Sequence, residues 1–348
     1  MDVLRAGFPE LTWTSVALSA RHYAWRAGGN ALTLAARIPE AHFDLILASG
    51  PVDLAALRGL RPDLAAVRTL LYVHEHEFAY PENPREQGRV DRQLRQILAM
   101  LAADGVLTNS HWCAQSLLSG VRALLARVPD EVPSTTLPRL EDRIEVEPVP
   151  LADALFADAP RPAARSGPCE IVWNHRHEWD KGVDRLPHLL DALAASGIDF
   201  RFHLLGQRFR AMPPGISESL HWLASHPGHR GEIGFVQSSV DYRRMLAESD
   251  VVLSTALQEF QGLAVMEAVA QGCVPCVPDR LAYRDWVPDA ARAPSFEGDA
   301  QADAKALVSC LQTVLSMRDE LVEDSRRALD ALRFSRRRDA WRARLMSA

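Results

Sequence analysis

The segment IVWNHRHEWDKG (residues 171–182) decides the fold, because an apolar strand stops there at a cluster of basic groups. The run Glu170–Asn174 predicts a buried strand, and the cations Arg176 and Lys181 follow its end. Ligands of open α/β sheets bind beyond the carboxyl ends of the strands, so these cations fall where a site is expected. A lone pair of cations at this spacing also occurs on ordinary basic surface loops, and it needs a second motif to support it.

The segment EFQGLAVMEAVAQG (residues 259–272) supplies that second motif: a carboxylate, a short loop with one glycine, and then a helix. Gly262 lets the backbone approach a phosphate closely, and the free N–H groups at a helix start can bind that phosphate. Glu259 and Glu267 are eight positions apart and suit hydroxyl-rich groups on either side of a diphosphate. A glutamate before a helix also interacts favourably with the helix dipole, so this motif alone is of moderate strength.

The two motifs gain strength in combination, since both follow predicted strands of the same half of the chain. Two cations and a helix N-terminus can hold a diphosphate whose charge grows as its bond to a sugar breaks. The chain has 39 Lys and Arg residues, but only Lys181 and Lys305 are lysine. A lysine kept in the first motif favours a functional role there, because its compact charge differs from the planar guanidinium. The sequence therefore indicates a glycosyltransferase that uses a sugar nucleotide.

Length and composition predict a two-domain globular protein. A chain of 348 residues exceeds one ordinary core, and a hydrophobic content of 47% with 24% charged residues is typical of globular proteins. No apolar run reaches the roughly 18 residues that span a bilayer, and no signal peptide is present, so we expect a cytoplasmic protein without a membrane partner. Five scattered cysteines indicate reduced thiols, and the pair Cys273 and Cys276 in an apolar strand favours buried thiols over a redox or zinc site.

Short apolar strands alternate with helices in both halves, which predicts parallel sheets covered on both faces. We expect two Rossmann-like, doubly wound domains facing each other across a cleft, namely residues 1–160 and residues 161–325. Residues 326–348 predict an Arg-rich helix that packs back toward the N-terminal domain. The predicted strands are Thr14–Leu18, Phe43–Ser49, Leu70–His74, Gly105–Thr108, Ile144–Val149, Glu170–Asn174, Phe200–Leu205, Glu232–Phe235, Val251–Thr255 and Val274–Val277. The predicted helices are Val52–Leu57, Val90–Ala103, Ser110–Leu125, Val183–Ser196, Val240–Glu248, Gly262–Gln271 and Ala302–Leu315.

Polar residues also follow a strand in the first half, in the segment His74-Glu75-His76-Glu77. Two histidines flanking a carboxylate suit a metal ion, but zinc helices place them at i and i+4, and a third ligand is missing here. The better interpretation is a polar sheet edge from which His74 reaches a sugar or accepts a proton. No metal is expected.

The chain resembles a known family along most of its length. Arg176…Lys181 and Glu259-x7-Glu267 are similar to the donor-site pattern of retaining GT-B glycosyltransferases of the GT4 type. More narrowly, the chain resembles the tRNA-queuosine α-mannosyltransferases, also described as glycosyltransferase-like domain-containing proteins. The similarity runs through RHYAWRAGGNAL (21–32), LASGPVDLAALRGLRPDLAAVRTLLYVHEHEFAYP (47–81), ILAMLAADGVLTNSHWCAQSLL (97–118), IVWNHRHEWDKG (171–182) and SDVVLSTALQEFQGLAVMEAVAQGCVPCVP (249–278).

The resemblance implies a role for each residue of the donor motifs. Arg176 and Lys181 would neutralise the donor diphosphate. Glu267 would hold the nucleotide ribose hydroxyls, and Glu259 would contact the transferred sugar. The backbone amides expected near the phosphates are those of Phe260, Gln261, Gly262 and Leu263.

The resemblance also implies roles outside these motifs. His74 would lie close to the sugar on the acceptor-domain side, and Phe235 and Val236 would receive the base. The implied donor is GDP-mannose, with retention at the anomeric carbon and no cofactor or obligatory metal. In a front-face reaction the departing diphosphate helps to deprotonate the acceptor, so no protein nucleophile is needed.

The sequence differs from that family at its start. Similar enzymes begin with a strand, a Gly-Gly loop and a helix, whereas Met1–Glu10 resemble only the end of that helix. We therefore expect an N-terminal domain that lacks its first strand.

Three hypotheses follow for the function. The first is transfer of mannose to queuosine-modified tRNA, in which arginine clusters meet RNA phosphates locally despite the net charge of −6. The second is a GT4-type transferase with a glycan, lipid or small-metabolite acceptor. The third is a catalytically impaired nucleotide- or RNA-binding module, because the Gly-rich loop is missing. The arginines that could meet RNA are Arg85, Arg89, Arg92 and Arg95 and those of residues 326–348.

Overall fold

The chain divides into two compact units in the computed structural model, which describes residues 2–19, 23–80, 89–129, 131–156, 167–207 and 212–346. The first unit consists of Met1–Val149 and Ala340–Ala348, and the second consists of Pro150–Asp339. The boundary predicted after residue 160 lies outside the described residues, as does Arg85. No helix among the described residues is long and apolar enough to cross a membrane.

A four-stranded parallel sheet, in the order β1-β2-β3-β4, forms the centre of the first unit. Its strands are β1 (Leu45–Ser49), β2 (Arg68–Val73), β3 (Gly105–Thr108) and β4 (Ile144–Val146). Its helices are α1 (Asp2–Gly7), α2 (Tyr23–Arg37), α3 (Leu54–Leu60), α4 (Arg89–Ala102), α5 (His111–Leu125) and α6 (Thr136–Glu141). Five of the six residues of β2 are buried, as expected for a parallel strand covered on both faces.

One predicted strand of this unit is wrong. Residues 12–19 belong to no helix or strand, and Thr14–Leu18 pair with no strand of the described sheet. Val16 and Leu18 instead pack against a small apolar cluster that includes Leu34 of α2 and Leu57 of α3. The apolar residues of this segment therefore indicated burial, which does not by itself provide a hydrogen-bonded neighbour.

A six-stranded parallel sheet forms the second unit, in the order β10-β9-β8-β5-β6-β7. Its strands are β5 (Cys169–Asn174), β6 (Phe200–Leu205), β7 (Arg230–Gly234), β8 (Val251–Leu253), β9 (Val274–Pro278) and β10 (Arg292–Ala293). The strand order reverses between β5 and β8, which are neighbours in the sheet although 76 residues lie between the end of β5 at Asn174 and the start of β8 at Val251. Such a reversal is the point where doubly wound sheets bind ligands.

Helices complete the second unit and lead back to the first. They are α7 (Leu186–Ala195), α8 (Pro214–Ser225), α9 (Ser239–Glu248), α10 (Leu263–Ala270), α11 (Ala300–Ser316), α12 (Arg318–Asp330) and α13 (Phe334–Met346). Helix α13 begins in the second unit and ends in the first, where Trp341 is fully buried with its ring 5.6 Å from that of Tyr72. Cys273 and Cys276 are free and buried, which confirms the prediction of core thiols.

Candidate functional site

Two loops meet where the strand order of the second unit reverses. The first site loop (residues 175–185) follows β5, and the second site loop (residues 254–262) follows β8. The amides of Leu257 and Gln258 donate to the carbonyl oxygen of Asp180 at 2.8 and 2.9 Å. The hydroxyl of Thr255 donates to the carbonyl oxygen of Lys181 at 2.7 Å. Both sequence motifs are therefore held against each other by backbone contacts.

Gly182 makes this close approach possible. Its φ of 66° lies in the left-handed region, and a Cβ at this position would sit 1.9 Å from the carbonyl oxygen of Thr255. Any side chain at residue 182 would push the two site loops apart.

Lys181 lies between the two site loops and is 9% exposed. Its Nζ donates to the carbonyl oxygen of Gln258 at 2.9 Å, and it lies 3.1 Å from Oδ2 of Asp180 and 3.5 Å from Oε2 of Glu259. Two carboxylates and a carbonyl oxygen thus orient the ammonium group at the start of α10. A cation held this way is suited to binding an anionic ligand at the sheet edge.

The carboxylate of Glu259 occupies the place beside Lys181 and the helix start where an anionic ligand would bind. Its Oε1 accepts hydrogen bonds from the amides of Phe260 and Gly262, both at 3.2 Å, while its Oε2 faces Lys181. Gly262 has a φ of 86°, and a Cβ there would lie 3.0 Å from the ring of Tyr283. The backbone donors that the sequence assigned to phosphates are therefore partly taken by the protein's own carboxylate.

Arg176 lies on the first site loop but does not share the enclosed position of Lys181. Its side chain is about half-exposed and pairs with Glu178 at 3.1 Å. This exposed ion pair is weak, so the guanidinium can turn toward a ligand at low cost.

Glu267 belongs to a buried polar network behind the start of α10. Its Oε2 accepts from the hydroxyl of Tyr242 at 3.3 Å, and the amide of Asn174 donates to the same hydroxyl at 2.9 Å. Burial raises the pKa of Glu267, and the hydrogen bond from Tyr242 opposes that shift. Asn174 and Tyr242 were not among the predicted site residues, because Asn174 was assigned only to a strand, Tyr242 stands in no motif, and only the tertiary fold brings them to Glu267.

His175 is a second residue that the sequence did not single out. It is buried at the end of β5, where burial and then the nearby charge of Lys181 lower its pKa to about 3. Within the described part of the chain, its Nε2 has no hydrogen-bond partner. The imidazole is therefore neutral, and protonating it opposes the folded state.

This burial predicts a pH dependence of stability. Between its ordinary pKa of 6.5 and its folded value of about 3, His175 binds a proton in the unfolded chain but not in the folded one. The free energy of unfolding therefore falls as the pH decreases through this window, by about 1 kcal/mol per pH unit for one such group. His175→Gln removes that contribution, which denaturant titrations between about pH 5 and 7 can measure.

The matched control for this prediction is His188→Gln, which changes an exposed histidine of α7. It should retain the slope of the wild type. An unchanged slope in His175→Gln would show that this imidazole titrates normally in the folded protein.

Phe235 and Val236 line a cavity of about 590 Å³ on the second unit. They follow β7, and Phe235 is 65% exposed, which leaves its ring face open to a planar group. The polar lining includes Arg201, His203 and Arg244. The cavity has the size and the mixed lining typical of small-molecule sites.

The segment after β2 places His74 and His76 in different environments. His74 is exposed, yet the protein around it lowers its pKa to about 4 by desolvation. His76 is buried, its Nε2 lies 2.9 Å from the hydroxyl of Ser116, and burial lowers its pKa to about 3. No cluster of three or more His, Cys, Asp or Glu side chains that could hold a metal ion occurs among the described residues.

Comparisons with known sequences identify relatives of the chain. A model of the N-terminal region of tRNA-queuosine α-mannosyltransferases matches residues 1–151. A tRNA-queuosine α-mannosyltransferase of Drosophila melanogaster is 32% identical over 279 residues, which cover 78% of this chain and 73% of the relative.

Solved structures match the architecture of the chain. A UDP-forming α,α-trehalose-phosphate synthase of Burkholderia xenovorans has a TM-score of 0.67 at 17% identity, covering 99% of this chain and 85% of its own. A sucrose-phosphate synthase of Thermosynechococcus elongatus has a TM-score of 0.65 at 17% identity, covering 97% and 83%. The two parallel sheets thus confirm the predicted α/β fold of GT-B type. The chain belongs to the tRNA-queuosine α-mannosyltransferase family and is a glycosyltransferase.

Proposed function

We propose that this enzyme transfers mannose from GDP-mannose to queuosine-modified tRNA, with retention at the anomeric carbon. The name of the Drosophila melanogaster relative supports mannose as the transferred sugar and queuosine in tRNA as the acceptor. The observation that carries the proposal is the enclosed Lys181 ammonium facing Glu259 at the start of α10, at the reversal of strand order. An oriented cation beside the backbone N–H groups of a helix start stabilises a departing diphosphate more strongly than it stabilises the intact donor.

In the proposed complex, the donor diphosphate lies against Lys181 and the amides of Phe260 to Leu263. Arg176 turns from Glu178 toward the same phosphates. Glu259 leaves the amides of Phe260 and Gly262 and accepts hydrogen bonds from hydroxyls of the mannose. The donor thus takes over contacts that Glu178 and Glu259 make with Arg176 and the two amides in the protein alone.

The remaining parts of the donor occupy the neighbouring groups of the second unit. Glu267 accepts hydrogen bonds from the ribose hydroxyls, and its contact with Tyr242 fixes the direction of its carboxylate. The guanine base lies against Phe235 and Val236 at the mouth of the cavity. Aromatic faces stack on bases, so an open phenylalanine ring suits this position.

The proposed chemistry needs no protein nucleophile or obligatory metal ion. As the bond between the sugar and the diphosphate breaks, the departing phosphate oxygen accepts the proton of the attacking acceptor hydroxyl. The cations Arg176 and Lys181 offset the charge that develops on this phosphate. His74, neutral near pH 7 because its pKa is lowered, is proposed to contact the sugar from the acceptor side.

The proposed tRNA contacts are local. Arg92 and Arg95 of α4 pair with Glu77 and Asp91 at 2.9 and 2.7 Å, and Arg89 donates to the carbonyl oxygen of Tyr80 at 2.7 Å. Arg92 and Arg95 line a smaller cavity of about 110 Å³ beyond β1 and β2. Binding through a few phosphates predicts an affinity for tRNA that falls with salt concentration.

The ribose assignment predicts a selective loss in Glu267→Gln. GDP should bind roughly tenfold more weakly, since a charge-assisted hydrogen bond is lost. The variant should also bind GDP and 2′,3′-dideoxy-GDP equally, whereas the wild type prefers GDP. Titration calorimetry measures both effects, and Glu218→Gln on an exposed face of α8 is the control. A variant that keeps the preference for GDP contradicts this role of Glu267.

Label transfer from GDP-mannose tests the proposed function directly. The expected result is mannose incorporation into tRNA that carries queuosine and none into the same tRNA without it. Incorporation that appears only with a glycan, lipid or metabolite acceptor would replace tRNA as the acceptor. Transfer from UDP- or ADP-sugars in preference to GDP-mannose would overturn the proposed donor.

A further inference from the structure

A buried ionic cluster lies behind the two site loops, formed by Asp303, Arg185 and Arg280. We call these three residues the Asp303 cluster. Asp303 stands in α11 and is 0% exposed, while Arg185 and Arg280 are 1% and 3% exposed. None of the three residues belongs to the donor site proposed above.

Asp303 uses its full capacity to accept hydrogen bonds. Its Oδ1 accepts from Nη1 of Arg280 at 3.0 Å and from the amide of Phe296 at 2.9 Å. Its Oδ2 accepts from Nη2 of Arg280 and Nε of Arg185, both at 2.8 Å. Burial alone would raise the pKa of Asp303, but these hydrogen bonds outweigh burial and lower it. The carboxylate is therefore a charged anchor for two guanidinium groups.

Arg280 links Asp303 to the second site loop. Its Nε donates to the carbonyl oxygen of Ala256 at 2.8 Å, and its Nη2 donates to that of Thr255 at 3.3 Å. The planar guanidinium fixes both carbonyl oxygens at once, which a lysine cannot do. Glu259 follows only three residues after Ala256.

Arg185 links Asp303 to the first site loop. It lies four residues after Lys181 and begins the chain's path into α7. Besides Asp303, its guanidinium binds the exposed Asp184 and the carbonyl oxygen of Glu297. Asp303 thus connects the loop that carries Lys181 with the loop that carries Glu259.

A gain in folding stability does not by itself explain why the protein has such a cluster. Buried ion pairs lose so much hydration that apolar replacements of similar volume are often as stable or more stable. The cluster instead orients the backbone segments that it binds, because every charged hydrogen bond fixes an angle and a distance. The two backbone segments oriented in this way are those that bring Lys181 within 3.5 Å of Glu259.

We infer that Arg280, anchored by Asp303, is a positioning residue for the donor site and sets the distance between Lys181 and Glu259. This inference rests on the proposed function, since it takes these two side chains to hold the donor. Arg280 acts through the carbonyl oxygens of Thr255 and Ala256 and touches no substrate.

The first test is Arg280→Lys, which keeps the positive charge but loses the planar hold on the second site loop. A misplacement of about 1 Å at a reacting centre can cost roughly 100-fold in rate, so we expect kcat to fall by about 10- to 100-fold. GDP affinity should fall as well, at temperatures well below the melting temperature of the variant. Arg318→Lys is the matched control, because Arg318 forms a partly buried ion pair with Asp250 at 2.9 Å, and Asp250 stands before β8 and outside both site loops.

A double-mutant cycle separates positioning from a general structural role. GDP affinity is measured for Arg280→Lys, Lys181→Ala and the double variant. If Arg280 acts through Lys181, the second substitution adds little to the first, whereas independent effects add in free energy. Additive losses, or a normal kcat and GDP affinity in Arg280→Lys, overturn the inference.

The cycle also distinguishes this inference from the proposed function. A strong effect of Lys181→Ala with a silent Arg280→Lys leaves the donor site intact and removes only the positioning role. A silent Lys181→Ala overturns both. Should Arg280→Lys not fold, Arg185→Lys takes its place in the cycle, because it loosens the first site loop from the same anchor.

Discussion

Lys181→Ala is expected to lower the rate of sugar transfer by roughly 100- to 1,000-fold, the usual cost of removing one preorganised donor from a charged transition state. The ammonium lies 3.5 Å from Glu259 and bonds the carbonyl oxygen of Gln258, so it is aimed at the start of α10 before the donor arrives. Because its proposed contact strengthens as charge develops on the departing phosphate, kcat should fall more than donor affinity. Steady-state kinetics with labelled GDP-mannose measures this split.

The chain provides a matched control for this variant, since its only other lysine is Lys305, exposed on α11. Lys305→Ala should transfer sugar at the wild-type rate. The melting temperature of Lys181→Ala should fall as well, because the loss leaves the largely buried carboxylates of Asp180 and Glu259 without their cation, so rates are compared well below the melting temperature of the variant. A folded Lys181→Ala with normal turnover contradicts the role of this residue.

Glu259→Gln is expected to raise the affinity for GDP and to lower the rate of sugar transfer. The carboxylate holds the amides of Phe260 and Gly262 and faces Lys181, so it competes with the donor diphosphate for the same groups. The neutral amide of glutamine competes less, and GDP should bind the variant more tightly, by about threefold to tenfold for a change near 1 kcal/mol. Transfer should nonetheless fall by roughly 100-fold, because the contact to the transferred mannose is weakened.

Calorimetry with GDP and rate measurements with GDP-mannose resolve the two effects on one protein preparation. Glu218→Gln, in which an exposed carboxylate of α8 is neutralised, should change neither. Weaker binding of GDP to Glu259→Gln would mean that the carboxylate supports the diphosphate instead of competing with it.

The sequence predicted that the two motifs lie at the ends of strands in one domain because local patterns and general topology agree there. The apolar run before Arg176 formed β5, the run before the second motif formed β8, and the sheet order made the two strands neighbours. Gly262 has a positive φ, which a glycine before a helix adopts without strain. Strand ends and glycine turns are encoded locally, so one sequence is enough to find them.

The sequence could not predict contacts that depend on packing. Thr14–Leu18 had the apolar run of a strand, yet its apolar side chains pack against helices α2 and α3 without a neighbouring strand. Asp303 looked like an ordinary residue in the first turns of a helix, and only the fold brings Arg185 and Arg280 to it from 118 and 23 residues away. The occupation of the helix start by Glu259 was likewise invisible, because a glutamate before a helix has several acceptable positions.

A crystal structure of the protein with bound GDP tests the central claim most directly. The account predicts the β-phosphate within roughly 3 Å of Nζ of Lys181 and of the amides at the start of α10, with the carboxylate of Glu259 displaced from those amides. Glu267 should face the ribose hydroxyls in the same structure. Phosphates bound elsewhere, with Glu259 still accepting from Phe260 and Gly262, would contradict the account.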